Sequence, residues 1–225
     1  MLMLLAACGA PARTAHAPTD GAPAPRRFLA LGDSYTIGES VAAAERWPVQ
    51  LAGLLRARGV ALAEPQIIAR TGWTTDELAA AIDAAEPQGP FDLVSLLVGV
   101  NNQYRGRAAG EYRAELRALL GRAVALAGGD ARRVLVLSIP DWGVTPFAAG
   151  RDAARIAAEI DAFNAIGRAE ALDAGARYVD VTAESRRAAT DPALVAGDGL
   201  HPSGAMYAAW AALALPDALA ALGAA

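Results

Sequence analysis

The sequence predicts an α/β fold, a three-layer α/β/α sandwich on a five-stranded parallel sheet. Three observations point there. Five short apolar runs punctuate the chain from Phe28 onward, and a segment of helical character follows each. The runs are continuously apolar, as strands covered on both faces are, and do not alternate with polar residues. The chain has 225 residues, a length that suits one domain with a sizeable core.

The elements follow in order. Phe28-Leu29-Ala30-Leu31 is a buried strand that stops at Gly32. A helix covers about Ala44 to Arg58 and ends at Gly59. Pro65 to Ala69, with Gln66-Ile67-Ile68, reads as the second strand. Thr74 or Thr75 caps a helix to about Ala85, closed by Pro87 and Gly89. Phe91 to Val98 is the clearest strand. A helix from about Gly110 to Ala127 ends at Gly128-Gly129. Arg133 to Ile139 is the fourth strand, stopped by Pro140. Asp152 to Ala174 is helical and ends at Gly175. Tyr178 to Val181 is the fifth strand, and the last helix runs from about Ser203 to Leu222 with a break expected at Pro216. Right-handed crossovers between the parallel strands then place helices on both faces.

Composition removes several function classes. The formal net charge is −4, so the clustered basic face of a nucleic-acid partner is not expected. Hydrophobic residues reach 54 %, but Ala inflates that figure, and no apolar run is taken to reach the ~20 residues of a spanning helix. The one Cys excludes an intramolecular disulfide or a Cys-based zinc site. That residue closes Leu5-Ala6-Ala7-Cys8, which resembles a bacterial lipobox. Pro11, Pro18, Pro23 and Pro25 follow among Ala, Thr and Gly, a composition that serves as a tether and buries no core. The expected layout is a signal-like segment 1–8, a linker 9–25 that holds a solvated His16, and a folded domain 26–225. The resemblance implies export and a lipid anchor at Cys8, on the periplasmic side or at the cell surface. The alternative is a cytoplasmic protein with a fortuitously apolar start.

Sites in parallel sheets form at the carboxyl ends of the strands. The loops there read Gly32-Asp33-Ser34, Arg70-Thr71-Gly72-Trp73, Gly99-Val100-Asn101-Asn102 and Pro140-Asp141-Trp142, with Asp198-Gly199-Leu200-His201 late in the chain. Each residue also has a plain structural role to offer. Ser34 suits a helix cap, Asp198 and Asn101 suit turns, and Gly72 suits positive φ. His201 is the one His of the predicted domain. Its place three residues after an Asp, in a Gly- and Pro-bounded loop, favours chemistry. The first loop carries neither Gly-x-Gly-x-x-Gly nor a Lys, so dinucleotide and P-loop patterns fail. A Ser directly after the first strand, with Thr36 where a second glycine is needed, also fails the α/β-hydrolase pattern.

Taken together, Gly32-Asp33-Ser34, Gly72, Gly99-x-Asn101 and Asp198-x-x-His201 resemble the four sequence blocks of the SGNH hydrolase superfamily, the GDSL esterases and lipases. The resemblance spans about Phe28 to Leu215 and implies the flavodoxin-like fold of that superfamily. One departure shows: the third block usually ends in Asp, and here Asn102 stands there.

The resemblance implies a serine esterase that forms an acyl-enzyme and needs no cofactor or metal. A serine hydroxyl is a weak nucleophile and needs a base. His201 is the expected base for Ser34, and Asp198 is expected to hold the imidazole in one tautomer. The Ser34 and Gly72 backbone N–H groups and the Asn101 amide are the implied oxyanion donors. Trp73, Tyr104 and Trp142 are candidate pocket walls. The expected substrate is a small acyl or acetyl ester, and within the superfamily carbohydrate acetylesterases, lysophospholipases, thioesterases and acyltransferases are alternatives. A non-catalytic ligand-binding module is the reading from another class, and a fluorophosphonate probe that labels serine nucleophiles separates the two.

Overall fold

The computed structural model describes residues 24–224. Cys8, segment 1–8 and all of linker 9–25 except Ala24 and Pro25 lie outside the described residues.

Five strands form one parallel sheet: β1 (Phe28–Gly32), β2 (Gln66–Ala69), β3 (Leu93–Leu97), β4 (Val134–Leu137) and β5 (Arg177–Val179). Their order is β2-β1-β3-β4-β5. The three central strands are buried at every position, which is why they read as apolar runs, broken only by Ser95 in β3. Each buried Leu there contributes roughly 1.5–3 kcal/mol. The edge strands β2 and β5 are partly open.

The long helices are α2 (Trp47–Ala57), α3 (Thr75–Ala85), α5 (Ala109–Leu126), α6 (Ala153–Asp173) and α8 (Gly204–Ala221). α2 packs on α8, while α3, α5 and α6 pack side by side as the other layer. Three short helices stand where the sequence reads as loop: α1 (Ser34–Ile37), α4 (Val100–Tyr104) and α7 (Thr182–Ser185). One helical turn is too short to show a 3.6-residue period.

Two helices differ from expectation. α2 starts at Trp47, not Ala44, because Pro48 sits in its first turn, where a missing N–H costs nothing. Residues Ala43–Glu45 form a separate 3₁₀ turn. α8 runs unbroken through Pro216. Pro216 and Ala212, whose carbonyl the proline leaves unbonded, are both on the exposed face, so that carbonyl meets water. By length and mean hydropathy, 1.2 over 18 residues, α8 is apolar enough to cross a membrane. Here it is a core helix that rests on α2, β4 and β5, with Tyr207 and Trp210 fully buried.

β1 pairs with β2 on one side and β3 on the other, in a register that aligns Gly32 with Ala69 and Leu97. The carboxyl ends of three strands therefore stand level at the point where the strand order reverses, the crevice such sheets offer to ligands.

Two residues beside that crevice are constrained by close packing. Gly99 has φ +131°, and a Cβ there would lie 2.6 Å from the buried Tyr112 ring of α5. Asn102 is buried on α4. Its Oδ1 accepts from the Thr75 N–H at the start of α3 (3.1 Å). Its Nδ2 donates to Thr75 Oγ1 (2.6 Å) and approaches Glu115 Oε2 (3.4 Å). An Asp here would lose both donors and set a second carboxylate against Glu115, so the amide suits this chain.

Two stability measurements check this packing. Gly99→Ala lowers the unfolding free energy in urea by at least ~2 kcal/mol, because the methyl group and the backbone are both refused. Asn102→Asp lowers it by about 1–3 kcal/mol at pH 7. Glu115→Gln in the same background recovers much of that loss.

Candidate active site

The chain leaves β1 at Gly32 and turns at once. Asp33 Oδ1 accepts from the Tyr35 N–H (3.0 Å) and starts α1, whose first residue is Ser34. Ser34 is buried at the sheet edge, 4 % exposed. Burial pushes the Asp33 carboxyl up to about 7, with the Tyr35 N–H pulling the other way.

The next two loops meet beside it. Gly72 follows β2 with φ +88°. Its carbonyl accepts from Arg105 Nη2 (2.6 Å). Asn101 lies on α4 after β3, and its Nδ2 donates to the Trp73 carbonyl (2.9 Å). That bond uses one amide hydrogen and leaves the second for a ligand.

The loop before α8 brings Asp198 and His201 together. His201 Nδ1 lies 2.6 Å from Asp198 Oδ2. Asp198 Oδ1 accepts the backbone N–H groups of Leu200 and His201, both at 2.9 Å. Ser40 Oγ donates to Asp198 Oδ2 at 2.7 Å. Burial alone would raise the Asp198 carboxyl, but these hydrogen bonds outweigh it and hold the group well below the usual carboxylate range. The carboxylate therefore stays charged at neutral pH. The His201 ring is buried and lies 5.4 Å from the Tyr35 ring, centroid to centroid.

Ser34, Gly72, Asn101 and His201 line one cavity of about 150 Å³. Tyr104 and Trp142 wall it as the sequence suggests, but Trp73 does not. Trp73 is half-buried against the core and offers only its carbonyl, to Asn101. Phe147 and Leu200 complete the apolar wall; Phe147 carried no motif, and Leu200 stands at an unspecified position inside Asp198-x-x-His201. The rings of Tyr104, Trp142 and Phe147 lie 5.4–6.2 Å apart. Trp142 Nε1 donates to the buried Gln103 Oε1 (2.9 Å), which fixes the indole. The Arg151 guanidinium stacks over all three rings at 5.1–5.3 Å. A larger groove, about 510 Å³, shares the Tyr104 and Trp142 wall but includes neither Ser34 nor His201. Among the described residues no group of three or more His, Cys, Asp and Glu side chains is placed to hold a metal ion.

Comparison with known proteins bears on the fold and the family. No curated relative matches the sequence significantly. Solved structures share its fold. TesA has a TM-score of 0.69 at 21 % identity, covering 88 % of this chain and 100 % of its own. The psychrotrophic esterase EstA from Pseudoalteromonas sp., inhibited by monoethylphosphonate, has a TM-score of 0.67 at 17 % identity, covering 88 % and 99 %. Axe2, an acetylxylan esterase from Geobacillus stearothermophilus, has a TM-score of 0.63 at 20 % identity, covering 89 % and 95 %. The sequence profile of the GDSL-like Lipase/Acylhydrolase family matches residues 30–209, from β1 into α8. With that span of matched sequence on the expected sheet, the chain belongs to the GDSL-like lipase/acylhydrolase family and is an SGNH-type ester hydrolase.

Proposed function

We propose that the protein hydrolyses short-chain carboxylic esters through an acyl-enzyme on Ser34. One observation carries this reading. Ser34, Gly72, Asn101 and His201 line a single cavity, with Asp198 bonded to the far nitrogen of His201.

The chemistry follows from that arrangement. The Asp198 carboxylate keeps the proton on His201 Nδ1, so Nε2 presents its lone pair to the cavity. Nε2 takes the Ser34 proton as Oγ attacks the ester carbonyl. The new oxyanion is received by the Ser34 and Gly72 N–H groups and the free Asn101 amide hydrogen. Each such donor lowers the barrier by ~3–4 kcal/mol. Collapse of the tetrahedral adduct breaks the acyl–oxygen bond, and His201 returns its proton to the departing alcohol. Water then repeats the sequence on the acyl-enzyme and releases the acid.

Cavity size bears on the substrate. A volume near 150 Å³ equals about five water-sized groups, which suits acetyl to butyryl chains. Val100, Phe147 and Leu200 make its wall apolar. The Axe2 name supports acetyl esters as substrates here. The adjoining groove gives room for the alcohol portion.

A panel of p-nitrophenyl esters tests the reading. Acetate and butyrate turn over with kcat/KM at least ~10-fold above laurate, since a long chain overfills the cavity. Ser34→Ala and His201→Ala lower kcat by roughly 10⁶-fold with the fold intact, and Asp198→Asn by about 10⁴-fold or less. A fluorophosphonate labels wild type and not Ser34→Ala. Turnover in Ser34→Ala above a few per cent of wild type sinks the assignment.

The pH profile gives a second check. The depressed Asp198 carboxyl loses its charge only below the usual carboxylate range, so it is ionised across pH 5–8. The acid limb of log kcat/KM then rises with unit slope, for the single proton His201 must lose. A slope near two would bring in a second group, with Asp33, pushed up to about 7, the first suspect.

A further inference from the structure

Ser40 stands just past α1, where the nucleophile's turn leaves the site. Its backbone is left-handed, φ +64°, a conformation a non-glycine residue keeps only when its surroundings hold it there. The other such residue among those described, Glu86, is an ordinary helix C-cap on α3. Ser40 caps no helix; the C-cap of α1 is Gly38. The Ser40 hydroxyl donates to Asp198 Oδ2 (2.7 Å), the oxygen that also lies 2.6 Å from His201 Nδ1. The adjacent Glu39 carboxylate accepts from Thr71 Oγ1, in the loop that carries Gly72. This turn thus reaches two other loops of the site.

We propose that Ser40 is a positioning residue: its hydroxyl holds the Asp198 carboxylate, and through it the His201 imidazole, in register with Ser34. The inference rests on the hydrolase reading above. Two backbone N–H groups fix Asp198 Oδ1, but both belong to its own loop and orient it only within that loop. Among the described residues, the Ser40 bond is the one hydrogen bond that joins the turn 33–41 to the loop 195–203. Among the described residues no arginine pairs with Asp198. Tyr35 of the same turn lies against the His201 ring and is within electrostatic reach of Asp198, as is Tyr207 of α8. Both are neutral at pH 7, so neither draws the carboxylate toward Ser34.

Three substitutions separate hydroxyl from backbone. Ser40→Ala keeps the Cβ and removes the donor. Ser40→Gly removes the donor and relaxes the backbone. Ser40→Asn keeps a donor in a residue that tolerates left-handed φ. With p-nitrophenyl acetate, kcat falls about 10-fold in Ala and Gly, the low end for a bond to a charged group because this one is exposed. KM stays within about two-fold, because substrate contacts are untouched. The acid limb of kcat/KM moves to higher pH in both, since a carboxylate that has lost a donor stabilises the imidazolium more. Asn recovers at least half of the lost kcat. His201 titration followed by NMR moves the same way, with thermal melts reporting the fold.

Ala and Gly variants within two-fold of wild type, with an unmoved His201 titration, overturn the proposal. So does a Gly variant with wild-type kcat beside an impaired Ala variant, which would place the effect in the backbone. A wild type that neither hydrolyses esters nor labels at Ser34 defeats the hydrolase reading instead. The NMR titration still decides in that case: an unmoved His201 rejects the Ser40 contact, and an upward shift upholds it.

Discussion

Parallel pairing of β1 with both β2 and β3 is the constraint on which the rest of the site depends. It aligns Gly32, Ala69 and Leu97 in one row at the carboxyl edge of the sheet. Each strand then needs only a few residues to deliver its group: Ser34 after β1, Gly72 after β2, Asn101 after β3. Short connections leave little freedom, so the buried strands, and not the loops, set the spacing of these residues. That is the advantage of a reverse point in strand order. Crossovers leave on opposite faces, and the edge between them stays open for a ligand.

Such closeness limits which side chains fit. Tyr112 fills the space beside Gly99 and stacks on Phe163 at 4.7 Å. Asn102 ties α4 to the start of α3 through Thr75. Polar groups are buried here in quantity, and most are paired with backbone or with one another. Asp33 Oδ2 and Thr36 Oγ1, both on the turn after β1, are among the buried atoms with no partner, and burial shifts the Asp33 carboxyl upward. The turn that exposes Ser34 to the cavity thus carries a cost that the packed sheet beneath it must offset.

Much of this was legible in the sequence. Strands β1, β3 and β4 are buried at every position and, apart from Ser95 in β3, carry no polar side chain because both faces are covered, and that signal survives without coordinates. Ser34, Gly72 and Asn101 were legible because each lies just past a strand end, and His201 because it stands three residues after Asp198; the four do line one cavity. What stayed hidden depends on tertiary contact. A single helical turn such as α1 or α4 has no period to read. Trp73 and Trp142 look alike as loop aromatics, yet only Trp142 is turned to the cavity, its indole held by Gln103. Phe147 and Ser40 sit in unremarkable local sequence, and their importance lies in neighbours more than forty positions away. The break expected at Pro216 failed because the freed carbonyl happens to face solvent.

The two halves of the site are held by different kinds of force. Asp198 and His201 are three residues apart, and two backbone N–H groups of their own loop fix the carboxylate. Their mutual geometry is local and travels with the loop. The relation between Ser34 and His201 is long-range. It depends on where the loop before α8 docks against the turn after β1, through the Tyr35 and His201 rings and the Ser40 bond. A change that loosens this docking separates the two without disturbing the Asp198–His201 pair. Rate would then fall while the pair itself still looked intact, because proton transfer depends steeply on the distance between hydroxyl and imidazole. Precision at this edge thus rests less on the residues that react than on the few contacts that register one loop against another.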